Sequence, residues 1–115
     1  MWDHTVTRVD GTCTVTLSGE IDMSCSDELI SLLTSTAQGA DADTMQVDLA
    51  EVGFMDSSGI DALIVGYRAA HGAGRRFTVV RPQRNVRRVF EIAGVLAMFS
   101  GAAPPPSTDS AVGAA

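Results

Sequence analysis

Val52-Gly53-Phe54-Met55-Asp56-Ser57-Ser58-Gly59-Ile60-Asp61-Ala62-Leu63 is the stretch on which the reading of this chain turns. An apolar run, Met45 to Leu49, leads into it, and an apolar-periodic run, Ile60 to Tyr67, leads out. That pattern is a strand, a short loop and a helix start. Asp56 suits the N-cap, because its carboxylate accepts from the free N–H groups of a first turn. Ser57 and Ser58 then occupy that turn. Their hydroxyls stand beside the positive end of the helix dipole, where a phosphate would find N–H donors and a favourable field. Gly59 costs about 1 kcal/mol relative to alanine inside a helix, which implies close packing or an approaching partner there. Local features alone favour the plainer reading of a capped helix start built from small residues, since most capped helices bind nothing.

Working outward, Thr5 to Val9 reads as a strand, Asp10-Gly11 as a tight turn, and Thr12 to Leu17 as a second strand. Cys13, Val15 and Leu17 face one way, and the threonines between them face the other. Ser18 to Asp22 leaves this hairpin as a loop. Ser24, with Asp27 and Glu28 in the next turn, starts a helix whose apolar face is Leu29, Ile30, Leu32, Leu33 and Ala37, and which stops near Gly39. The helix after Asp56 buries Ile60, Leu63, Ile64 and Tyr67 and ends near Gly72-Ala73-Gly74. Arg76 to Val80 is the next strand, broken by Arg81-Pro82. Asn85 is positioned to cap a third helix, with Val86, Val89, Phe90 and Ala93 inward, Arg84, Arg87 and Arg88 outward, and Gly94 as its stop. Leu96 to Phe99 is expected as a short last strand. After the opening hairpin, helices alternate with strands. The expected fold is therefore α/β, a mixed sheet of four or five strands whose later members are parallel, with three or four helices.

The 115 residues are the length of one domain, and 45% hydrophobic content supplies a single core. No stretch approaches the ~20 apolar residues of a membrane span. The first residues lack the basic start and apolar core of a signal peptide, so a cytoplasmic protein is expected. Residues 1–61 hold twelve acids and one arginine, residues 62–115 seven arginines and two acids, giving −11 and +5 and a net charge of −6. Six of those arginines lie between Arg75 and Arg88. The acidic total and the absence of interleaved aromatics argue against nucleic acid and for a solvated helix face or a protein contact. Two cysteines are too few for a disulfide framework, and no metal-ligand spacing is present. Cys13 is expected inside and Cys25 outside, in the first turn of a helix, which makes a redox role for the pair a minor reading. Neither His4 nor His71 stands where a motif would give Ser57 a base, and no P-loop or dinucleotide fingerprint occurs, so no cofactor and no catalysis are expected.

Taken in order, Ser18-Gly19-Glu20-Ile21-Asp22, Val47-Asp48-Leu49, Val52 to Ile60, Gly74 and Val86-Arg87-Arg88-Val89-Phe90-Glu91-Ile92-Ala93-Gly94-Val95 carry a recognisable pattern. It resembles the STAS domain, specifically the bacterial anti-sigma factor antagonists of the sporulation and general-stress type. The resemblance covers about Val6 to Phe99 within a domain of residues 1–101, leaving 102–115 as a proline-rich tail. It implies a small mixed sheet with helices largely on one face, and a binding protein rather than an enzyme. The unmodified protein would bind an ATP-binding anti-sigma factor that is also a serine kinase, and so release a sigma factor. Phosphorylation, implied at Ser57, would break that contact, and a serine phosphatase would restore it. The implied partner surface is Asp22, Asp56, Ser57, Ser58, Gly59, Ile60 and Asp61. Ser58 is read as a small packing residue ahead of a phosphorylated one, and Asp22 equally as a cap for the loop before the first helix. The competing reading is a STAS accessory subunit of a transporter, of the lipid ABC type among others, or a module of a stress-signalling scaffold.

Overall fold

Asp10 and Gly11 adopt φ values of 50° and 80°, the left-handed pair that a two-residue hairpin turn requires, and they fold the first two strands onto each other. The structure, a computed structural model, describes residues 1–39 and 41–101, so the proline-rich tail of the sequence reading lies outside the described residues. Strands β1 (Trp2–Val9) and β2 (Thr12–Ile21) run antiparallel, with Val9 opposite Thr12 and Trp2 opposite Gly19. Helix α1 (Ser26–Gly39) leads to β3 (Thr44–Met55), and α2 (Ser57–Gly72) to β4 (Arg76–Val80). Helices α3 (Arg84–Ala93) and α4 (Leu96–Phe99) close the described chain. The sheet order is β1-β2-β3-β4, with β2–β3 and β3–β4 parallel. The mixed α/β sheet expected from the alternation is thus present, with four strands and four helices among the described residues.

Burial alternates along the strands. Cys13, Val15 and Leu17 are fully buried while Thr12, Thr14 and Thr16 remain partly exposed. Met45, Val47, Phe77 and Val79 continue the same buried layer. Leu29, Leu33 and Ala37 of α1 and Ile60, Leu63, Tyr67 and Ala70 of α2 complete the core. Ile30, Leu32 and Ile64, expected on the buried faces, are only partly buried. An aromatic chain runs through one end: Tyr67 meets Phe77 edge-on at 5.8 Å, and Phe99 meets Phe90 at 5.1 Å.

Several elements differ from the sequence reading. Ser18 to Ile21, expected as a loop, continues β2 and pairs in parallel with Glu51–Met55 across register shifts at Thr16/Ser18 and Gly19/Glu20. These irregularities let a strand run through residues that lack period-two alternation. Strand β3 accordingly reaches Met55 instead of stopping at Leu49. Leu96 to Phe99 is a helical turn, not a strand; it places Phe99 against Phe90 and Phe77. Asn85 does not cap α3. Gln83 holds the N-cap position without a side-chain cap bond, and the Asn85 amide donates to the Gly53 carbonyl at 2.7 Å. Ala93 is exposed, not inward. Cys25 is 3% exposed, where an exposed thiol was expected, and its Sγ donates to the Asp22 carbonyl. Gly94 stops α3 in the left-handed conformation, as expected.

Candidate functional site at the start of helix α2

The parallel strands β2 and β3 end side by side, with Ile21 opposite Met55, and their continuations form the site. The Asp56 N–H donates to the Ile21 carbonyl at 3.2 Å, which fixes the strand-to-helix junction. Asp56 then caps α2 as its sequence implied. Its Oδ1 accepts from the N–H of Ser58 at 2.9 Å and of Gly59 at 3.4 Å. Ser57 is the first helical residue and its side chain is exposed, whereas Ser58 is partly buried. Asp61 is exposed one turn further along the same helix.

On the neighbouring strand end, Asp22 is partly exposed and organises the turn into α1. Its Oδ1 accepts from the Ser24 N–H at 2.9 Å and from the Ser24 hydroxyl. These bonds, the hydroxyl's first, hold the Asp22 carboxyl below its ordinary pKa, so it stays charged. The capping role read for Asp22 is therefore real, and its charge still borders the Asp56-Ser57 junction.

Gly59 and Ile60 stand apart from the other residues of the implied partner surface. Both are buried, so neither presents a side chain to a partner. A Cβ on Gly59 would lie 2.5 Å from Met55 Cγ and 3.0 Å from Ile21 Cγ2. The bare backbone there serves the packing of α2 onto the strand ends. The surface that remains is Asp22, Asp56, Ser57, Ser58 and Asp61. Two exposed apolar side chains lie close by in the chain, at residues that the sequence did not single out for binding. Met23 is 76% exposed beside Asp22, and Phe54, opposite Glu20 in the sheet, is 47% exposed. The signal for Phe54 was its place in a strand directly beside buried Met55, which turns its ring to the other face; Met23 had none.

The described residues give Ser57 no histidine neighbour on its own helix turn. His71 lies at the opposite end of α2 from Ser57, about 21 Å along the axis at 1.5 Å per residue. It contacts Tyr67 edge-on at 4.5 Å, and burial pushes its pKa down. Among the described residues no three of His, Cys, Asp and Glu lie close enough together to hold a metal ion. No helix of the described residues is long and apolar enough to cross a membrane.

The family profile described as "Mlab, STAS domain" matches residues 4–99. An anti-sigma factor antagonist from Mycobacterium paratuberculosis is 27% identical over 97% of this chain and 92% of that one, with a TM-score of 0.76. The anti-sigma factor antagonist SpoIIAA in its unphosphorylated form has a TM-score of 0.72 at 22% identity, covering 85% of each chain. The fold also matches a part of SLC26A9, with a TM-score of 0.60 and 17% identity over 84% of this chain and 18% of that one.

Proposed function

The chain belongs to the STAS domain family, and on that premise we propose that it is an anti-sigma factor antagonist switched by phosphorylation of Ser57. The observation that carries this reading is the exposed Ser57 hydroxyl at the first position of α2, on a junction fixed by the Asp56 cap and bordered by Asp22 and Asp61. Similarity to the mycobacterial antagonist along nearly the whole of both chains supports it. In the unmodified state, this surface and the apolar side chains of Met23 and Phe54 bind an anti-sigma factor that is an ATP-dependent serine kinase. A sigma factor is thereby released. The kinase transfers the γ-phosphoryl group of ATP to Ser57 Oγ; the hydroxyl proton goes to the kinase's base and ADP leaves. A serine phosphatase reverses the step. The protein itself is regulatory and acts in the cytoplasm, without direct contact to DNA or membrane.

Phosphorylation adds about −1.5 to −2 charges and three acceptor oxygens. At the first position of α2 the dipole accommodates that charge, so the fold survives. The partner, however, meets a surface on which Asp22, Asp56 and Asp61 are already negative. Added charge and bulk oppose docking. Baits of wild type, Ser57→Ala and Ser57→Asp, presented to a lysate and read by mass spectrometry, test this. An ATP-binding, kinase-like protein is expected on wild type and Ser57→Ala and lost on Ser57→Asp. Equal partner affinity for wild type and Ser57→Asp would sink the mechanism. The second reading, an accessory module of a transporter or scaffold, draws on the likeness to a part of SLC26A9. It requires the same subunits to come down equally on all three baits.

A further inference from the structure

Three arginines occupy the first five residues of α3, where a helix favours acids. Arg84 is the first helical residue, and Arg87 and Arg88 follow in the next turn. A cation at a helix N-terminus opposes the macrodipole, and like charges four residues apart, as in Arg84 and Arg88, repel. No acid stands in the first turn of α3 to compensate. Arg87 reaches Glu91 at 3.6 Å, but Arg84 and Arg88 have no acidic partner within ion-pair distance among the described residues. Two other arginines of the cluster behave differently. Arg75 donates to the carbonyls of Ala37 and Ala42, and Arg81 is paired with Asp48. Some arginines of the basic run therefore serve the fold, while Arg84 and Arg88 work against the helix that carries them. Local rules are broken in this way where function requires it.

Helix α3 is fastened to the strand that leads into the candidate site. Gln83 Nε2 donates to the Ala50 carbonyl at 2.9 Å and Asn85 Nδ2 to the Gly53 carbonyl at 2.7 Å, both beyond the last residue of β3 that pairs with β4. The strand so gripped is the one that runs into Asp56 and Ser57. Arg84, Arg87 and Arg88 are exposed, and with Asn85 and Glu91 they line a depression on the outer face of α3. Ile92, 78% exposed, continues the Arg84–Arg88 stripe one turn further.

We propose that this stripe, Arg84 and Arg88 with Ile92 at its end, is a second docking surface, and that its occupant is an acidic segment of the protein that engages the Ser57 helix. Only the identity of that protein rests on the partner-switching reading. Carboxylates suit the site because guanidinium groups bind them bidentately, and their charge would relieve both the Arg84–Arg88 repulsion and the mismatch with the dipole. The partner is thus expected to be two-signed. Its acidic segment meets α3, and its basic groups meet Asp22, Asp56 and Asp61.

The probe is a decaglutamate peptide titrated into the 15N-labelled full chain, with phosphatidylglycerol vesicles as the alternative anion. Amide shifts centred on residues 84–92 that weaken with salt and vanish in the R84E/R88E double variant are expected. That variant should melt close to wild type, because an acid at position 84 suits the dipole while the like-charge pair at 84 and 88 is only changed in sign, so lost binding is not lost fold. Against the protein recovered on the wild-type bait, R84E/R88E is expected to lower affinity about tenfold with Ser57 intact. Unmoved α3 amides, shifts that persist in the double variant, or vesicles that bind where the peptide does not would overturn the proposal. A Ser57→Asp protein that binds normally beside a weakened R84E/R88E sinks the switch and leaves this inference standing; the reverse result sinks this inference alone.

Discussion

Gly59 is the residue at which helix propensity and packing pull in opposite directions. Replacing it with alanine would lower the intrinsic cost of α2 by about 1 kcal/mol. The new methyl would also press on Met55 Cγ at 2.5 Å and Ile21 Cγ2 at 3.0 Å, and overpacking of this kind costs about 1–3 kcal/mol. Both neighbours are buried and sit at the ends of paired strands, so neither yields freely. Gly59→Ala is therefore expected to lose up to about 2 kcal/mol in urea unfolding. Stability equal to wild type would mean that Met55 swings aside. The sequence exposed the oddity of this glycine but not its cause, because Ile21 lies 38 positions away and only the fold brings it near. The Asp56 cap was legible because donor and acceptor are two and three residues apart. Asn85 misled for the converse reason: the carbonyl that takes its amide is 32 residues distant.

At the scale of elements, the same difference between local and distant partners decides what could be read. Helices α1 and α2, the hairpin turn and the parallel crossovers follow from periodicity and turn chemistry. The second halves of β2 and β3 do not, since their pairing depends on register shifts that carry no periodic signal. The attachment of α3 was equally hidden. Besides the buried Val86 and Phe90, it uses three side chains reaching β3: Arg81 to Asp48, Gln83 to Ala50 and Asn85 to Gly53. Asp48 is the buried member, and its hydrogen bonds from Arg81 hold its carboxyl below the ordinary value. A lowered folded pKa means stabilisation that is fully present above the unfolded value of about 3.9 and is lost as pH falls through the folded one. Asp48→Asn should therefore be less stable than wild type at pH 7, and the gap between their urea midpoints should narrow below about pH 4. A gap that stays constant with pH would show that the folded pKa is not lowered and that the pair adds no pH-dependent stability.

For the whole molecule, the question is whether the proposed switch acts by changing the fold or by changing a surface. The core lies between the sheet and α1–α2, and Ser57 stands outside it at the end of a helix whose buried face runs from Gly59 to Ala70. A negative charge at that position gains about 0.3–1 kcal/mol from the dipole. Asp56 and Asp61 offset part of this by repulsion. With about 4–8 °C of melting temperature per kcal/mol for a domain of this size, Ser57→Asp is expected to melt within about 5 °C of wild type. Its amide shifts should be confined to the strand ends and the first turns of α2, around residues 20–23 and 54–61, while α3 stays unmoved. Loss of partner binding with that pattern assigns the switch to surface charge. A fall in melting temperature well beyond this range, or shifts spreading through β1 and α1, would mean that the modified state refolds, and the docking argument would have to be replaced by a conformational one.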